Sequence, residues 1–100
     1  MKLSGKQVAA ARELLGLSQS DLATLVGLTR RTIGKFETGA ADLKGSTLSL
    51  IQAELERRGI EFTNGDCRPS EGDGIGVRLN FGKAAVFARS TAQGEKDAGR

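Results

Sequence analysis

The sequence predicts a mainly α fold in which four short helices form one compact unit and a β-hairpin follows. Three observations predict it. Gly16, Gly27, Gly39 and Gly59 each follow a short periodic segment, where a left-handed residue commonly ends a helix. A Ser or Thr stands before each segment as a capping signal. After Gly59 the apolar spacing changes from helical to alternating, in "IEFT" and "GVRLNF".

Each element carries its own start signal. Ser4 with Gln7 makes a capping box before "KQVAAARELL", and Leu3 is placed to staple onto Val8. Ser18 with Asp21 repeats the arrangement before "QSDLATLV", with Leu17 stapling onto Leu22. Thr29 caps "RRTIGKFET", with Leu28 set to meet Ile33, and Ser46 or Thr47 caps "LSLIQAELERR". In the hairpin, Ile60 and Phe62 fall on one face and Val77, Leu79 and Phe81 on another, joined by a long loop, "NGDCRPSEGDGIG". A lone hairpin is marginal, so it must pack on the helices or pair with a second chain. "KAAVFAR" reads equally as a strand, a short helix or a docking segment. From about residue 90 no aliphatic side chain exceeds alanine, which predicts disorder. The expected organisation is a helical domain at 1–59, a hairpin extension at 60–82 and a largely disordered tail at 83–100.

Composition narrows the function. The chain has 100 residues, enough for one small domain. It has no histidine and one cysteine, Cys67, so the usual general base, an internal disulfide and a cysteine zinc site are all absent. No catalytic residues, metal or cofactor are expected. Neither a secretory signal nor an apolar run of membrane-spanning length is read, which predicts a cytoplasmic protein with no membrane partner. Residues 1–60 hold nine Lys/Arg against six Asp/Glu, and residues 61–100 hold six of each. The whole excess of +3 therefore lies in the helical part, where it favours a polyanion.

The third helix concentrates that charge. At about 100° per residue, Ile33, Phe36 and Glu37 share one side, and Arg31, Lys35 and Thr38 the other, with Arg30 and Gly34 between. Arg31 meets Lys35 at i+4, a mildly repulsive pair, and both are expected near the helix start, where the dipole disfavours cations. A nearby polyanion reverses both penalties. Ala23 is small where two helices must approach, Gly27 follows four residues later, and Ile33 six after that; these are the steric demands of a helix-turn-helix. "ARELLGLSQSDLA", "GLTRRTI" and "KFETG" resemble the Cro/CI-type, or XRE, family of bacterial transcriptional regulators over about residues 6–60, which implies a lambda-repressor-like helix-turn-helix domain.

By that resemblance, Arg30, Arg31 and Lys35 reach base edges in the major groove, where arginine favours guanine. Gln19, Thr29, Thr38 and Lys44 are implied phosphate contacts. Arg12 and Glu37 match a pair that forms a structural salt bridge between the first and third helices. The implied function is sequence-specific recognition of double-stranded DNA, as a homodimer on an inverted repeat and most simply as a repressor. The chain departs from the family where a fifth helix often follows the fourth, which leaves the dimer surface open. The rival expectation is a protein-interaction module, an antitoxin or anti-activator that holds a protein partner through residues 60–89. Gly34 has no assigned purpose. Cys67 beside Arg68 is a weak thiol-sensor candidate, and "GDGIG" lacks the lysine and helix of a phosphate loop. Glu54 and Glu56 face different ways, so Glu54 is expected to support Arg58 instead of forming a catalytic pair.

Overall fold

The computed structural model describes residues 3–63 and 75–98. The helices are α1 (Gly5–Leu14), α2 (Gln19–Val26), α3 (Arg30–Glu37) and α4 (Gly45–Arg57); then come β1 (Ile60–Thr63), β2 (Gly76–Leu79) and α5 (Phe81–Ala98). Local chemistry sets most of these boundaries. The Ser4 hydroxyl accepts from the Gln7 amide while the Gln7 side chain accepts from the Ser4 amide, and Ser18 and Asp21 do the same. Thr29 accepts from the Thr32 amide at the start of α3. Gly16, Gly27, Gly39 and Gly59 have φ of 71°, 74°, 82° and 109°, a region in which a side chain is strained. The start of α4 differs from expectation. Its N-cap is Lys44, with no side-chain hydrogen bond, because the Lys44 carbonyl already accepts from Leu48 at 2.9 Å. Ser46 and Thr47 thus lie inside the first turn.

The core joins Leu3, Val8 and Ala11 to Leu22, Ala23, Ile33 and Phe36, with Leu48, Ile51 and Leu55 of α4 and Ile60 of β1 closing it. Each large apolar side chain removed from water here contributes about 1.5–3 kcal/mol. Gly5 sets how closely α1 approaches α3: a Cβ at this position would lie 2.1 Å from the Phe36 carbonyl oxygen. Gln7 is a buried polar residue whose amide Nε2 donates to the carbonyls of Thr63 at 3.3 Å and Gly76 at 3.2 Å. It pins the Thr63–Gly76 end of the hairpin to α1.

Antiparallel pairing sets Ile60 opposite Leu79 and Phe62 opposite Val77. Directly opposed residues project to the same face. The two apolar sets expected on separate faces therefore converge on one, packed against the core. Phe81 does not join them. The strand ends at Leu79, and Phe81 opens α5 with 80% of its surface exposed.

"KAAVFAR", open between strand, short helix and docking segment, lies within α5, which also spans the expected boundary at 82/83. Asn80 explains the start. Its side-chain oxygen accepts from the Lys83 amide at 3.0 Å, its Nδ2 donates to Glu61, and its backbone amide donates to Gly59 at 2.8 Å. Glu61 also holds Lys83 at 2.9 Å and Arg78 across the strand pair. These donors, Lys83 foremost, draw its carboxyl down to about 2. The Phe87 ring lies under Arg58 and Arg57, 4.7 and 4.9 Å from their guanidinium carbons, so α5 docks on the end of α4 through cation–π contact. An alanine-rich start with a cap can be helical without adding to the main core. Cys67 and residues 64–74 of the expected loop lie outside the described residues, and Gly76 at its end belongs to β2.

The close approach at Gly5 gives a direct check. Gly5→Ala should lower the unfolding free energy by about 1–3 kcal/mol through overpacking against main chain. Gly45→Ala, where a Cβ meets nothing within 4 Å, should leave it unchanged or slightly raised. Equal denaturation midpoints for the two variants would remove the steric account.

Candidate nucleic-acid interface

The inner edge of α3 is held by a polar cluster. Arg12 Nε donates to Glu37 Oε2 at 2.9 Å and Nη2 to Oε1 at 3.2 Å, a two-pronged ion pair. Arg12 Nη1 donates to the Leu17 carbonyl at 2.9 Å, and Gln19 Nε2 to Glu37 Oε1 at 3.0 Å. The Arg12 and Glu37 side chains are only 12% and 5% exposed, so the pair works where water screens it poorly. The Glu37 bond raises the Arg12 pKa above its ordinary value despite the opposing effect of burial. One carboxylate thus joins α1, the start of α2 and the end of α3.

With Glu37 held and Ile33 and Phe36 buried, the opposite side of α3 has to face outward. Arg30, Arg31, Lys35 and Thr38 are all exposed. Thr38 returns its hydroxyl to the Lys35 carbonyl at 3.2 Å, and the Thr29 hydroxyl lies 2.9 Å from that of Thr32. Lys44 is exposed at the start of α4. Gln19 sits differently from a side chain aimed at solvent: its amide is turned inward to Glu37, leaving the first turn of α2 to present backbone N–H. A methyl at Gly34 would lie 3.6 Å from the Gln19 oxygen, an ordinary contact, so internal packing does not demand glycine there.

Ion pairing sorts the cations into two groups. Among the described residues, Arg12, Arg57, Arg58, Arg78 and Lys83 each have a carboxylate partner. Arg30, Arg31, Lys35, Lys44, Lys6 and Arg89 have none. Arg30, Arg31 and Lys35 lie on α3, Lys6 borders a hollow at its C-terminal end, and Lys44 caps α4. Lys6 was not singled out by the sequence, because Thr38 and Gly39, which border the same hollow, follow α3 and are distant along the chain. Glu54 behaves as expected for its spacing, accepting from Arg58 at 2.7 Å and also from Arg57 at 2.8 Å. No described helix is long and apolar enough to cross a membrane.

Residues 8–61, from the first turn of α1 into β1, match the protein family described as Helix-turn-helix. This chain belongs to the XRE-type helix-turn-helix family. It is also similar, at 42% identity over 96 residues, to an Archaeoglobus fulgidus protein named "Putative HTH-type transcriptional regulatory protein". That match takes in 96% of the chain but 26% of the relative, so the chain spans about a quarter of the relative's length. It extends past the family's end at residue 61, so the resemblance includes the hairpin and α5 as well as the helix-turn-helix.

For this family member, the buried pair should dominate stability. Arg12→Ala strands the Glu37 carboxylate and should cost about 3–5 kcal/mol. Arg78→Ala removes a pair whose arginine is 67% exposed and should cost no more than about 1 kcal/mol. Chemical denaturation of both variants checks the ranking, and similar losses would contradict it.

Proposed function

We propose that the chain is a sequence-specific regulator that binds double-stranded DNA through α3. The observation that carries this reading is the grouping of unpaired cations. Arg30, Arg31 and Lys35 stand exposed on a helix whose inner face is buried. They lack acid partners although the hairpin and α4 hold their cations in pairs. Crowding like charges on one short helix costs stability in isolation and is favourable beside a polyanion.

In this reading Arg30, Arg31 and Lys35 contact base edges, with arginine favouring guanine O6 and N7. Thr29, Thr38 and Lys44 contact phosphates, and Gln19 contributes the backbone N–H at the start of α2 while its side chain holds Glu37. A single module offers less surface than a specific DNA complex usually needs, which supports binding as a homodimer on an inverted repeat. Repression by occupying the operator requires no further activity and is the simplest outcome.

A protein-binding role has its own supporting observation. Phe81 and Val86 of α5 are 80% and 57% exposed, beside a groove of about 660 Å³ lined by Phe87, Arg57 and Lys83. Such a face suits either a second copy or another protein. Mobility shift over a salt series separates the roles. The DNA reading predicts a preferred sequence and binding that weakens steeply with salt. Arg31→Ala should cost about 1–3 kcal/mol and relax preference at one base position. Binding at the non-specific level alone would sink the operator reading in favour of the protein-binding one.

A further inference from the structure

We propose that Lys6 is a phosphate contact that carries the DNA interface from α3 across to α1. The proposal rests on the duplex-DNA reading above and adds a residue on a different helix.

The geometry begins with Gly5. Because it has no side chain, the first turn of α1 lies directly against the Phe36 carbonyl and the Glu37 main chain. The next residue, Lys6, is thereby brought beside the C-terminal end of α3. Lys6 borders one surface hollow together with Ser4, Glu37, Thr38 and Gly39. Thr38 continues the outward row of α3 that runs through Arg31 and Lys35, since these three recur at i, i+4 and i+7. Lys6 prolongs that row beyond the end of the helix.

Electrostatics favours the same use. Lys6 is exposed and makes no ion pair among the described residues. The acid in its hollow, Glu37, already accepts from Arg12 and Gln19, with its side chain 5% exposed. Asp42 lines the adjoining hollow with Gly5 and Gly39 and forms no ion pair with Lys6. An exposed lysine without an ion pair among the described residues, sharing a hollow with Thr38 at the end of a basic row, matches an anionic oxygen of the duplex backbone. Lysine serves such an oxygen as a point charge and reads no base.

The test is the salt dependence of binding by the 100-residue chain and its Lys6→Gln, Lys6→Arg and Lys83→Gln variants. Two probes are used, mixed-sequence duplex DNA and the best duplex selected from a random pool. Lys6→Gln should make the slope of log K against log salt shallower by about 0.9, the share of one phosphate, on both probes. Its affinity deficit should therefore shrink about 3.5-fold for a fourfold rise in salt. Lys6→Arg and Lys83→Gln should keep the parent slope. A lysine that merely complements the carbonyl end of α3 would change melting temperature and leave the slope alone. An unchanged slope for Lys6→Gln overturns the proposal while the DNA reading stands. A loss confined to the selected duplex also overturns it, since that would mark a base contact. Failure of the parent chain to bind either probe overturns the DNA reading and this proposal together.

Discussion

The Arg12–Glu37 pair is the constraint on which the rest of the arrangement depends. It ties the last turn of α1 to the end of α3 and, through Gln19, takes in the start of α2. An apolar contact in this place could add as much stability, since burying two charges carries a desolvation penalty. What the ion pair adds is direction. Its two parallel bonds leave little freedom to rotate, so α3 is held with Ile33 and Phe36 inward and Arg31 and Lys35 outward. The short turn closed by Gly27 and the small Ala23 bring α2 near enough for Gln19 to reach the same carboxylate.

Charge is divided according to the work each surface does. On α4 and the hairpin, Glu54 and Glu61 each gather two cations. Around α3 the only carboxylate of the helix is turned inward, and the outward cations stay unpaired. The hairpin packs on the core through Ile60, Phe62, Val77 and Leu79, the Gln7 amide ties it to α1, and Arg57 and Arg58 over Phe87 hold α5 to α4. Asn80 and Glu61 fix the angle at which α5 leaves the hairpin.

Features governed by neighbours in sequence were legible before the structure. The Ser4–Gln7 and Ser18–Asp21 boxes and the four positive-φ glycines are fixed within a few residues, and they placed α1, α2 and α3 and the ends of all four helices of the domain. Of the contacts between distant segments, the Arg12–Glu37 pair was expected through the family resemblance, and the others had no signal in the residues. Gly5 carries no signal of its own in the sequence, yet it admits the Phe36 carbonyl. The bond from the Gln19 amide to Glu37 joins two helices and left no local trace. Phe81 continued the alternation of a strand, and only the Asn80 cap with its bond to Gly59 reveals that a helix begins there. Alternation and a helix start compete for the same three residues, and tertiary contacts decide between them. Gly34 is sharpened rather than explained, because a methyl has room beside Gln19.

The central claim is that the outward side of α3 is the surface that meets the duplex. The most direct measurement is an amide-resolved NMR titration of the chain with its selected duplex. The account predicts that shifts concentrate at Gln19, Thr29–Lys35, Thr38 and Lys44, and leave β1, β2 and α5 little changed apart from any dimer contacts. Shifts centred on Phe81, Val86 and Phe87, with α3 undisturbed, would contradict it.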